Sequence, residues 1–420
     1  MTILKNSIIY LGSSIISKSI PFLLLPIMTT YLSPKEYGLL SIYSILISFY
    51  SAFIGMNIQA NISKNFFKIS KKELSLYIGN ILIILLITFF AYFILTFCVL
   101  FFKNSIFSIP TEWVLIIPII SIITIVNELN LTILRNEQKA YMFGIFEISN
   151  TFIKMSLTIL FLVVFSFGWY SQVLGILIGS VIFFFVSILY MKKKNYIFLK
   201  MNKDKIKSIL NISLPLIPHM MGGVIIAMSD RIFIERMVGL DAVGIYSVGY
   251  MFGMVVLLFT DAFIKAWSPW FYKLLANPTH NKKIKIVKYT YLYIFGTFVL
   301  SIFISFIADF MLPYFVDIKF YDAKDFILWI SLGYAIHGVY KIFFPYLVHL
   351  NKTSFLALST TTAAIINLVL NYFFIKYFGA LGATYATIIA FLVSAVLVFW
   401  YQHKYIKMPW LYIFLTKEGR

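Results

Sequence analysis

Apolar residues fall in long blocks separated by short polar breaks, and a helix needs about 20 such residues to cross the hydrocarbon of a bilayer. Blocks of that length lie at 7–31, 38–62, 76–102, 113–134, 141–167, 171–191, 209–235, 243–268, 286–312, 325–349, 353–377 and 381–403. The pattern predicts about twelve transmembrane helices. The short alternating segments that would build a strand barrel are missing from it, so the expected fold class is an all-α polytopic membrane protein.

Composition agrees: 61% of the 420 residues are hydrophobic, 12% are charged, and the mean hydropathy is +0.91. A net charge of +19 would suggest nucleic acid in a soluble chain, but here its distribution reads as topology. With both termini cytoplasmic, one face receives 24 of the 35 basic residues and the other only six. No nucleic-acid partner is expected. The outer loops are short, the longest running from Pro313 to Asp325, so no extracytoplasmic domain is expected. The segment "KKKNYIFLKMNKDKIKS" halves the chain, giving an N-terminal six-helix lobe at 1–191, a basic cytoplasmic linker at 192–208 on the anionic inner leaflet, a C-terminal six-helix lobe at 209–404, and a cytoplasmic interfacial tail at 405–420. The first apolar run is too long for a signal-peptide core and reads as a retained span. The single cysteine, Cys98, excludes a disulfide framework and a Cys/His metal site, and reads as a small core residue.

An internal repeat is visible. A shift of 206 sets "YLSPKEYGLLSIY" (31–43) over "MVGLDAVGIYSVG" (237–249), and a shift of 213 sets "KAYMFGIFEISNTFIKMSLT" (139–158) over "KTSFLALSTTTAAIINLVLN" (352–371). Two six-span halves of like orientation follow, of the kind that rock around a site between them. The segments "SIIYLGSSIISKSIPFLLLPIMTTYLSPKEYG", "SLPLIPHMM", "SDRIFIERMVGLDAVGIYSVGY", "FIKAWSPW" and "NLVLNYFFIKYFGALGATYAT" together resemble the bacterial O-antigen flippases of the multidrug/oligosaccharidyl-lipid/polysaccharide export superfamily. The resemblance spans nearly the whole chain. It implies a multi-pass protein of the bacterial inner membrane that exports an undecaprenyl-pyrophosphate-linked oligosaccharide by alternating access, with the lipid bilayer and polysaccharide polymerase machinery as partners.

A charge at the centre of a membrane helix costs about 2.5–3.5 kcal/mol on insertion scales, so an unpaired one faces a wet cavity or a ligand. At about 1.5 Å per residue, Lys18 and Lys154 lie near the midplane, with no carboxylate at their depth. Two cations there suit an anionic substrate, and with the resemblance they become candidate contacts for the pyrophosphate; the bland alternative is that either snorkels or pairs with Glu128 or Glu147. Lys265 is a further candidate substrate contact, although it is spaced to pair with Asp261 on the same helix. Glu128, Asp261, Asp230 and Arg231 are candidates for coupling or gating, and the adjacent Asp230 and Arg231 could equally anchor the outer interface. Lys341 is placed to snorkel. Pro21 and Pro26 interrupt the first span, and Pro215 and Pro218 the seventh; interruptions at matching spans mark candidate hinges. Asn367 and Asn371, at helical spacing, would bond sugar or a neighbouring helix. His219, His337 and His349 have no ligand spacing, so no metal site is expected, and the only cofactor is a coupling cation, H+ or Na+. An enzyme of the same pathway would need a carboxylate pair or an arginine-rich outer loop; the outer loops are too short for that, and no enzyme is expected. The alternative function is a cation-coupled drug antiporter of the same superfamily, for which midplane carboxylates would be expected.

Overall fold

The computed structural model describes residues 2–411 apart from 104, 215, 216 and 351. It is helical almost throughout. The first crossing is made by α1 (Thr2–Leu23) and α2 (Leu25–Tyr31), the second by α3 (Pro34–Gly55). After the short α4 (Ile58–Asn65) come α5 (Lys71–Phe101), then α6 (Thr111–Val114) with α7 (Ile116–Asn136), then α8 (Ala140–Ile159) extended by a π-helical turn over Leu160–Val164, and α9 (Tyr170–Lys193). A short α10 (Lys203–Ser213) and α11 (Ile217–Met237) follow, then α12 (Leu240–Gly253) with α13 (Val255–Leu275), α14 (His280–Phe315), α15 (Lys324–His349), α16 (Thr353–Phe378) and α17 (Leu381–Tyr405). Among the described residues eleven helices are long and apolar enough to cross a membrane. The 21-residue α11 stands where the seventh of the twelve expected spans was placed. The chain is a multi-pass membrane protein.

Two compact units divide at Val224 and Ile225. In the first, the basic segment after α9 packs on its neighbours: Phe198 N–H donates to the Ser75 carbonyl at 3.2 Å, Asn80 Nδ2 to the Lys200 carbonyl at 3.0 Å, and Asn202 N–H to Asn80 Oδ1 at 2.8 Å. Its core gathers Ile58, Ile62, Tyr77, Ile78, Leu129 and Ile133. The second unit is centred on Phe271, Tyr346, Leu347 and Val398. Outward faces stay apolar, as on α5 at Phe90, Ile94, Phe97 and Phe101 and on α14 at Phe295, Phe303, Phe306 and Phe310, because lipid is their solvent. Cys98 is exposed on that same face of α5, which corrects its reading as a core residue: in lipid, an apolar helix face need not be an interior one.

Helix starts follow local chemistry. Ser33 with Glu36 and Ser70 with Glu73 form capping boxes that begin α3 and α5. Pro21 lies inside α1 and Pro26 in the first turn of α2, and the helix breaks between them at Leu24. Pro215 lies outside the described residues, as do the side chains of Pro218 and His219 and the tail from 412 onward. At the basic end of the first unit, Glu137 accepts from Tyr196 Oη at 2.8 Å and from Tyr190 Oη, and pairs with Lys139 at 2.9 Å. Partial burial alone would raise its carboxyl, but the bonds from Tyr190, Lys139 and Tyr196 outweigh that and hold it below the usual carboxylate range.

Candidate functional site

In the first unit, α1 runs parallel to α8 and presents hydroxyls to it. Ser13 Oγ donates to Glu147 Oε2 at 3.0 Å, and Ser14 Oγ to Glu147 Oε1 at 3.1 Å. Continuing that register, offset by 134 residues, sets Lys18 level with residue 152 and leaves Lys154 about 3 Å further along the helix axis. Ser14 and Lys18 are four residues apart and share a face of α1. Glu147 and Lys154 are seven apart and share a face of α8. The two lysines therefore border one stripe. Lys18 is exposed and makes no ion pair or hydrogen bond to any described residue, while both oxygens of Glu147 are taken by serines. Lys18 sits six residues, a little under two turns, before the break at Leu24.

Lys154 is positioned differently. A Cβ on Gly179 would lie 2.6 Å from Lys154 Cγ and 3.1 Å from its Cα, and one on Gly175 would lie 2.4 Å from Thr158 Oγ1 and 2.8 Å from the Lys154 carbonyl oxygen. These two glycines, four apart, let α9 press against the backbone of α8, so that the lysine stem has a wall. Glu128 on α7 lies within electrostatic reach of Lys154, and its Oε2 accepts from Gln59 Nε2 at 2.6 Å. Glu128, the partner named as the bland alternative for Lys154, is thus close enough to influence it electrostatically, while no ion pair joins the two among the described residues.

In the second unit, Asp230 and Arg231 are 1% and 6% exposed, buried against neighbouring helices. Asp230 Oδ2 accepts from Tyr246 Oη and Thr387 Oγ1, each at 2.9 Å. Its Oδ1 accepts from Asn371 Nδ2 at 2.8 Å and Asn367 Nδ2 at 3.4 Å. Asn367 also donates to Thr387 Oγ1 at 3.0 Å and accepts from Ser229 Oγ at 2.6 Å. α11, α12, α16 and α17 thus converge on one carboxylate. The Arg231 guanidinium lies 4.5 Å from the Tyr250 ring centre, and Tyr250 is hydrogen-bonded to Tyr334; the cation rests on an aromatic face. Asn371 Oδ1 is buried without a partner among the described residues. The Asp230 carboxylate is thus ringed by donors, two hydroxyls and two amide N–H groups, which satisfy its oxygens inside the unit.

Asp261 pairs with Lys341 on α15, which corrects both the expected pairing of Asp261 with Lys265 and the expected snorkelling of Lys341. An inter-helix partner within reach wins over one a turn away. Lys265 is exposed and forms no ion pair with any described residue. Among the described residues no three His, Cys, Asp or Glu side chains converge as metal ligands. The sequence reading missed Tyr246, Thr387 and Ser229 around Asp230, Ser13 and Ser14 on Glu147, and the glycines behind Lys154. The spacing of Gly175 and Gly179 was the one signal that could have found any of them.

The fold is shared with solved transporters. The chain superposes with a TM-score of 0.74 and 14% identity on a multidrug resistance MATE family transporter of the MOP superfamily in an inward-facing conformation, covering 92% of this chain and 94% of that one. It superposes equally, at 0.74 and 14%, on the lipid II flippase MurJ, covering 95% of this chain and 87% of that one. In sequence it is 25% identical to Lsg locus putative protein 1 of Haemophilus influenzae over 375 residues, 87% of this chain and 90% of the relative. The family described as Polysaccharide biosynthesis protein matches residues 3–275. With that match covering more than half of its length, the chain belongs to the polysaccharide biosynthesis protein family.

Proposed function

We propose that this protein is a flippase that carries an undecaprenyl-pyrophosphate-linked oligosaccharide repeat unit from the cytoplasmic to the periplasmic leaflet of a bacterial inner membrane, by alternating access and with both termini cytoplasmic. The observation that carries the reading is Lys18: an exposed cation near mid-depth, with no described ion-pair partner, bordering one stripe with Lys154. Such a pair favours a doubly charged diphosphate, and lysine suits transient contact because it is a point charge on a flexible stem. The family match and the likeness to transporters support export rather than an enzyme. Export would feed O-antigen or a related surface polysaccharide, with polymerase machinery as the next partner.

Coupling is proposed at Asp230. The ionisable Asp230 carboxylate, with the unpartnered Asn371 Oδ1 beside it, would take up a proton or Na+ in exchange for hydrogen bonds from its donors. Binding at a group that ties four helices together would bias the conformational equilibrium of this unit by the difference in affinity between states. The MATE likeness also supports a second reading, a cation-coupled antiporter of drugs or metabolites.

The deciding experiment reconstitutes wild type, Lys18→Ala, Lys18→Arg and Lys265→Ala in proteoliposomes at matched protein levels and follows a lipid-diphosphate oligosaccharide. Flipping by wild type, its loss in Lys18→Ala and its partial return in Lys18→Arg support the flippase reading. Transport of organic cations without any lipid-linked sugar moves the assignment to the antiporter.

A further inference from the structure

An apolar groove of about 290 Å³ runs between α14, α15 and α17, near the ~300 Å³ lower limit of small-molecule sites. Ile294 and Phe298, Ile336 and Val339, and Ala395 and Phe399 form its walls. Trp410, five residues beyond the end of α17, folds back to close one end. Its ring packs 5.7 Å from Phe343 and 5.5 Å from Phe399, and its carbonyl accepts from Tyr291 Oη at 3.0 Å. Its indole Nε1 is buried with no partner among the described residues. An indole N–H in such a place ordinarily finds an acceptor.

The same end of the unit is strongly basic. Lys283 Nζ donates to the Lys407 carbonyl at 3.1 Å, which brings the start of α14 and the segment after α17 together. Lys288 lies about one turn from Tyr291, Lys404 lies in the last turn of α17 and Lys407 just beyond it; all three are exposed. None of this is taken up by the Asp230 cluster or by the Asp261–Lys341 pair.

We propose that this groove holds one hydrocarbon chain of an anionic glycerophospholipid of the cytoplasmic leaflet. The headgroup sits among Lys283, Lys288, Lys404 and Lys407, and Trp410 closes one end of the groove. Two features select this occupant. The walls are apolar, and the basic collar lies on the side that the positive-inside asymmetry assigns to the cytoplasm. A neutral lipid would satisfy the walls and leave the collar unused.

The test is native mass spectrometry of the full chain released from nanodiscs of phosphatidylglycerol and phosphatidylcholine, with melting temperature followed in parallel. Wild type should retain one phosphatidylglycerol. Val396→Trp, which fills an exposed part of the wall, should lose that lipid while melting as wild type does, and Ala395→Phe should lose it too, filling the groove from the buried side. Lys288→Gln with Lys407→Gln should cut the preference for phosphatidylglycerol by roughly 30-fold, at about 1 kcal/mol for each lysine near an anionic headgroup. Equal retention of both lipids by wild type, or full retention by both groove-filled variants, overturns the proposal. So does lipid binding only in a chain ending at Leu411, which would assign the groove to the protein's own tail. Displacement by polyprenyl phosphate alone would assign it to a substrate chain, and that also overturns it.

Discussion

Gly179→Ala provides a sharp test of how Lys154 is placed. The new methyl carbon would stand 2.6 Å from Lys154 Cγ, 3.1 Å from its Cα and 3.3 Å from its N. Because two of those atoms are backbone, the side chain must give way. Moving Cγ out to van der Waals contact shifts it by roughly 1 Å, and the terminal ammonium moves at least as far or changes rotamer. Overpacking of this kind costs about 1–3 kcal/mol, so melting in detergent should fall by several degrees. Losing part of a charge-assisted contact to phosphate should slow translocation of the lipid-diphosphate oligosaccharide by about tenfold, equivalent to ~1.4 kcal/mol. The double variant with Lys154→Met should be no slower than Lys154→Met alone, because the methyl group acts only through the lysine. Gly296→Ala on α14, where a Cβ meets nothing within 4 Å, is the control and should transport normally. If Gly179→Ala is destabilised yet translocates at the wild-type rate, the position of Lys154 does not matter to transport, and its stem is only a packing element.

Asp230→Asn keeps the shape of the side chain but removes the charge on which Tyr246, Thr387 and Asn371 converge; substrate binding should survive while the dependence of transport on an imposed proton or sodium gradient disappears, and a persisting dependence would place coupling elsewhere. Lys341→Met leaves Asp261 without its inter-helix partner and should lower stability by up to about 3 kcal/mol, an upper figure because the Asp261 side chain is 39% exposed; adding Asp261→Asn should restore most of it. Acid should loosen the basic end of the first unit: the folded pKa of Glu137 lies below its ordinary 4.5, so its contribution is present above pH 4.5 and is lost as pH falls through the lower, folded value. Glu137→Gln should flatten that acid limb of the melting curve, and an unchanged curve would show that other groups control it.

Much of this architecture was legible because the signals are local. Span length is counted along the chain, and prolines act where they stand, so the break between Pro21 and Pro26 could be read directly. What joins helices could not. Asp230, Asn367 and Asn371 each stood out as polar groups in apolar runs, yet 137 and 141 residues separate the asparagines from the aspartate, and no periodicity reports such a meeting. Thr387 and Tyr246 were invisible because hydroxyl-bearing residues are common in membrane helices. Asp261 misled by spacing: the rule that residues four apart can pair holds for an isolated helix, and Lys341, 80 residues on, supplied a partner the rule does not consider. Cys98 misled by chemistry, since hydropathy does not distinguish a face turned to protein from one turned to lipid.

The hydroxyl contacts between α1 and α8 also bear on how the protein is made. Ser13 and Glu147 are 134 residues apart, so at about 5–20 residues per second of synthesis the glutamate emerges roughly 7–27 s after the serine. Through that interval the nascent first helix carries Ser13 and Ser14 into the membrane without their counterpart, on a helix that Lys18 already burdens with an insertion penalty of about 2.5–3.5 kcal/mol. A ribosome-bound chain arrested before Glu147 should therefore hold its amino-terminal helix in the bilayer less firmly than one arrested far enough beyond α8 for that helix to have left the ribosome. Late arrival of the fifth span, rather than the apolarity of the first, then completes the membrane anchoring of the amino terminus.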